Sequence, residues 1–120
     1  MPETPLHNFL RSFGYALNGI RLSLAGQRNL KVQAIIGLVG IGAGLYFGIN
    51  GVEWCVLLFS IALVISLEMV NSAIEDLVDL VTLERKPLAG RIKDIAAGAV
   101  LFASVIALIV GILVFRKYVV

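Results

Sequence analysis

The sequence predicts an all-α membrane protein, with an N-terminal amphipathic surface helix followed by three transmembrane helices. Three observations carry this. Apolar residues make up 59% of the 120-residue chain and charged residues 15%, against about 45–50% and about 25% in ordinary soluble domains. Two stretches of about 21 residues, Val32 to Val52 and Ile95 to Phe115, hold no charge, and roughly 20 apolar residues span the hydrocarbon of a bilayer. Basic residues cluster on only some of the connections. A chain this short has room for one small domain, so residues 1–120 are expected to form a single unit.

The first element is expected at about 6–25. Leu6, Phe9, Leu10, Phe13, Leu17, Ile20 and Leu24 recur at steps of three and four, while Arg11, Asn18 and Arg21 occupy other faces. That periodicity describes a helix lying in the membrane interface. The opening MPETPLHNFLRSFGYALNG lacks the basic region and unbroken apolar core of a signal peptide. The first span is expected at about 30–49. Its Gly40 and Gly44 form a GxxxG pair that permits close helix approach. The second is expected at about 53–81. Trp54 to Leu67 is apolar but only about 14 residues long, too short to span alone. It becomes long enough if the helix continues through Met69, Val70, Ala73, Ile74, Leu77 and Val78 with its polar residues turned inward. The third is expected at about 90–116, with Ala99, Ala103, Ala107 and Gly111 as a small-residue ladder. Three thin spans hardly enclose a polar site alone, which points to a homo-oligomer.

Arg11, Arg21, Arg28 and Lys31 precede the first span, and Arg85, Lys86, Arg91 and Lys93 separate the second and third. The turn FGINGVEW between the first two holds no Lys or Arg. The positive-inside rule then puts the N-terminus and the 82–94 loop in the cytoplasm. Arg116 and Lys117 oppose this with a smaller cluster. The net charge of +2 gives no strong field for nucleic acid. Cys55 has no partner for a disulfide or a metal site and is expected to be a buried thiol.

The chemistry concentrates in SLEMVNSAIEDLVDL, residues 66–80. On a helix Glu68, Asn71, Ser72, Glu75 and Asp79 share one face, and Asp76 falls off it. A carboxylate at the helix centre costs about 2.5–3.5 kcal/mol on insertion scales. Several on one face imply a cation, a ligand or a proton. Beside the basic loop carrying Arg91, Lys93 and Asp94, they suit magnesium and phosphate. Headgroup water and nearby cations account equally well for Asp76 and Asp79. A cation pathway remains a second reading, and a non-catalytic assembly factor a third. No GxxxxGK[ST] loop is present, and the only histidine is His7 near the N-terminus.

The run EMVNSAIEDLVD from Glu68 to Asp79, followed by KDIAAGAV from Lys93 to Val100, resembles the bacterial integral-membrane diacylglycerol kinase and undecaprenol kinase family. Gly14, Tyr15, Gly19 and Arg21 extend the resemblance into the amphipathic helix, so that it covers nearly the whole chain. It implies a homotrimer in the bacterial inner membrane, multi-pass, with the active site on the cytoplasmic side. It implies an ATP-dependent lipid kinase, using Mg2+ to pass the γ-phosphoryl group to a lipid hydroxyl. By the motif, Glu68 is the general base, Asn71 a positioning group and Glu75 a magnesium ligand at the ATP phosphates. Lys93 and Asp94 are nucleotide contacts, and Tyr15 and Glu84 fall at nucleotide-side positions. Two departures stand out. Gln27 occupies a place where many members carry a metal-side glutamate, and Lys86-Pro87 replaces a histidine-containing sequence. Arg28-Asn29 and the 94–100 run are closer to the undecaprenol branch, which makes undecaprenol the favoured acceptor and diacylglycerol the second. The alternative function remains a small ion or proton transporter built on the same carboxylates.

Overall fold

The computed structural model describes residues 4–120; the first three residues of the expected 1–120 unit lie outside them. The described residues form four helices joined by short turns: α1 Pro5–Gly26, α2 Arg28–Phe47, α3 Gly51–Val81 and α4 Pro87–Val119. Local chemistry sets each boundary. Thr4 caps α1 by accepting from the His7 amide, and Pro5 occupies the first turn, where its missing N–H costs nothing. Gly48, with φ 64°, ends α2 in the left-handed conformation that glycine adopts most readily. Asn50 and Glu53 cap each other's backbone N–H groups at the start of α3. Pro87 opens α4. The last helix therefore begins earlier than hydropathy suggests, because proline and the turn before it set the start. The first span, α2, ends at Phe47 rather than about 49, because of Gly48.

Helices α2, α3 and α4 are each long and apolar enough to cross a membrane. Their buried positions follow a seven-residue rhythm. Leu30, Gly37 and Gly44 are buried on α2, and Leu57, Val64, Asn71 and Val78 on α3. This is the seam of helices packed at a shallow crossing angle. A Cβ on Gly37 would lie 2.9 Å from Cγ2 of Ile61, and one on Gly44 2.8 Å from the Trp54 ring. Close approach thus depends on Gly37 and Gly44. Gly40, the first half of the expected pair, has only ordinary contacts. On α4 the buried face is Ala96, Val100, Ala103 and Val114. Ala103 belongs to it, while Ala99 faces outward. Cys55 is exposed on the isolated chain, contrary to expectation; it falls off the 57–64–71–78 seam and faces the surroundings of the bundle.

A buried apolar cluster forms near the α2–α3 turn, where Ile49, Leu57 and Val114 gather Phe47, Trp54, Phe115 and Tyr118 around them. There Glu53 of α3 accepts from the Tyr118 hydroxyl of α4 and pairs with Lys117 at 3.1 Å. The opposite end of the bundle carries the basic segments and the polar stripe. Helix α1 buries no residue and leaves Phe9, Phe13 and Leu17 exposed, as a helix lying on a membrane surface would.

Candidate active site

The α3 seam is apolar until it reaches Glu68. Taking Gly51 as one edge of the hydrocarbon and about 1.5 Å of rise per residue, Glu68 lies about 26 Å along the helix and Asp79 about 42 Å. A core of about 30 Å places Glu68 just inside its far edge and Asp79 beyond it. Glu68 and Asn71 are buried, at 6% and 8% exposure. The Gln33 amide of α2 lies 3.5 Å from Glu68 Oε2, and the Asn71 amide donates to Glu75 Oε1 at 3.3 Å. Glu68, Asn71 and Glu75 thus form one inward-facing row, as the helical spacing predicts. Asp76 is exposed and off the row.

About one turn beyond Glu75, Lys93 of α4 donates to Asp79 of α3 at 2.7 Å. A cleft of about 470 Å³ opens beside this pair, lined in part by Asp79, Glu84, Arg85, Lys86 and Lys93. Lys86 lies 3.8 Å from Glu84. The structure therefore brings Glu84 and Lys93 together. Asp94 is exposed and lines neither this cleft nor the apolar groove described below. Tyr15, at 68% exposure on α1, and Gln27, at the α1–α2 junction, line neither as well.

Among the described residues, three side-chain oxygens are buried without a partner: Gln27 Oε1, Gln33 Oε1 and Asn71 Oδ1. Such orphans are uncommon, because an unmade buried hydrogen bond is costly. They are hard oxygen donors, the type magnesium prefers. Among the described residues no three His, Cys, Asp or Glu side chains gather into a metal-binding group. Magnesium commonly takes only one or two carboxylates and completes its shell with water and substrate phosphates. The carboxylate of Glu75 and the free amide oxygen of Gln27 fit that limited protein share.

An open groove of about 570 Å³ runs between α2, α3 and α4. Gly37, Gly40, Ile61, Val64 and Leu108 make its walls, and Gln33 stands at the end nearest Glu68. In the sequence, the one signal for Gln33 is an amide side chain early in an otherwise apolar span. Nothing local marks the Glu53–Lys117–Tyr118 cluster, whose members are far apart in sequence.

A helical membrane protein with a buried carboxylate near the hydrocarbon edge and a cation-lined polar cleft about three turns beyond has the groups expected of one class: membrane enzymes that join a lipid to a water-soluble anion. Residues 14–115 match the family model described as prokaryotic diacylglycerol kinase. The chain belongs to that family and is a lipid kinase. It is 37% identical over 110 residues to the undecaprenol kinase of Bacillus subtilis, covering 92% of this chain and 89% of the relative. It is 40% identical over 105 residues to the diacylglycerol kinase of Synechocystis, covering 87% of this chain but 60% of that relative. The diacylglycerol kinase of Escherichia coli K12 is 28% identical over 106 residues, covering 88% and 87%. Kinase membership takes precedence over the transporter reading of the carboxylates.

Proposed function

We propose that the protein transfers the γ-phosphoryl group of ATP to the hydroxyl of undecaprenol, with diacylglycerol the second acceptor. The carrying observation is Glu68, a buried carboxylate in contact with Gln33, which lines the end of the groove. A lipid tail suits the apolar groove, and its hydroxyl then lies beside Glu68. Glu68 accepts the hydroxyl proton as the lipid oxygen bonds to the γ-phosphorus. The bond from that phosphorus to the bridging oxygen breaks, and ADP leaves. An alcohol is a weak nucleophile until its proton departs, so a placed base helps. The rest of the task is charge neutralisation and alignment.

Lys93 and the loop cations Arg85 and Lys86 supply positive charge at the polar cleft, where the ATP phosphates are proposed to lie. Asp94, Glu84 and Tyr15 are assigned as further nucleotide contacts. Asn71 orients Glu75 through its amide. Glu75 and Gln27 would hold Mg2+, which when bound withdraws charge from the phosphate oxygens. Match to the Bacillus subtilis enzyme over nearly its whole length supports undecaprenol as the first acceptor. The active assembly is proposed to be a homotrimer in the bacterial inner membrane, with the N-terminus and site on the cytoplasmic side. The basic loops support that orientation.

The test is transfer of radiolabelled γ-phosphate in detergent micelles with Mg2+, offering both lipids in parallel. Label should enter undecaprenol faster than diacylglycerol. Glu68→Gln should lower the rate by about 10²–10⁴-fold, the usual share of a general base. Equal labelling by wild type and variant would remove Glu68 from the chemistry.

A further inference from the structure

We propose that Gln33 is a positioning residue for Glu68, setting which carboxylate oxygen meets the lipid hydroxyl. This rests on the reading of Glu68 as the base. Gln33 belongs to α2 and Glu68 to α3, and the contact joins Gln33 Nε2 to Glu68 Oε2 at 3.5 Å. An ionised carboxylate only accepts hydrogen bonds, so the NH2 side of the amide must face it. The distance is at the long limit of a hydrogen bond. Catalytic hydrogen bonds are often loose before substrate arrives and tighten in the loaded complex.

Two further observations separate Gln33 from an ordinary polar link between helices. Its Oε1 is buried and has no partner, a costly arrangement for a side chain with only a packing role. It also lines the apolar groove, at the end nearest Glu68. The residue therefore stands where a lipid entering along the groove would bring its hydroxyl. By holding Oε2, Gln33 leaves the other Glu68 oxygen free to accept the proton. Without this donor the carboxylate can turn about its side-chain bonds, and fewer encounters are productive. Small losses of orientation are expensive when the reacting groups must be aligned.

The test is steady-state lipid phosphorylation by Gln33→Met, which keeps an unbranched side chain of similar length but has no donor. The expected result is a fall in kcat of roughly 10-fold or more, within the range a base contributes. KM for MgATP and for lipid should stay within twofold, and the thermal unfolding midpoint in detergent should not fall, since the unpartnered Oε1 is removed. Gln33→Asn keeps the amide but falls short of Glu68, so it should show the same loss of kcat. If Gln33→Met folds poorly, Gln33→Asn decides the matter. In a Glu68→Asp background, where the shorter carboxylate stands back from Gln33, the Met substitution should cost less than twofold. Unchanged kcat in both single variants overturns the proposal. So does the same fold-loss in both backgrounds, because a residue acting through Glu68 must be non-additive with it. A wild-type protein that labels neither lipid overturns the underlying reading, and this one with it.

Discussion

Glu68 and Asp79 share one helix about three turns apart, yet they sit in different surroundings. Glu68 is buried against the Gln33 amide, while Asp79 is exposed and bound to Lys93. An exposed ion pair adds little to stability, about 0–1 kcal/mol. Lys93→Ala should therefore leave unfolding in detergent nearly unchanged while raising KM for MgATP several-fold in the transfer assay. Gln27 offers a neutral oxygen at the place proposed to hold the metal. Gln27→Glu should lower the Mg2+ concentration needed for half-maximal rate, read from a magnesium titration at fixed ATP. Both outcomes concern single groups and need no change in the fold.

At the scale of elements, the α2–α3 seam depends on two missing side chains. Gly44 faces the Trp54 ring at a distance no Cβ tolerates, while Gly42 on the same helix has open space around its Cα. Gly44→Leu should destabilise the protein by about 1–3 kcal/mol, the usual cost of overpacking, and Gly42→Leu much less. Thermal unfolding of the two variants in one detergent makes the comparison. The helices are long for a membrane: α4 has 33 residues, about 50 Å at helical rise against about 30 Å of hydrocarbon. The excess at the basic end carries Lys93 and the polar cleft out to water, where a charged nucleotide can reach them.

For the whole molecule, the isolated bundle is flat, with extents of 56 × 45 × 21 Å. Few side chains are fully covered, and Leu30 is the one large side chain buried almost entirely among the described residues. Much of the outward surface is apolar, as a bilayer requires of a spanning bundle. The groove is open on one side of a single chain, which supports assembly into a larger unit. Chemical cross-linking in native membranes should give a ladder ending at three chains. A ladder ending at two would replace the trimer with a dimer.

Hydropathy and periodicity alone determined the surface helix, the three spans and the common face of Glu68, Asn71 and Glu75. These follow from local spacing, because a helix converts sequence steps of three, four and seven into one stripe. The boundaries were blurred where caps overrule hydropathy, at Gly48 and Pro87. The same local rules misplaced Cys55 and gave Gly40 a close contact that belongs to Gly37, since neither depends on its own neighbours in sequence. Only the tertiary structure decided that Gln33 meets Glu68, that Lys93 meets Asp79 and that Glu53 meets Lys117 and Tyr118. Each of these contacts joins two helices, so it depends on their relative rotation and depth, which no single helix's sequence fixes.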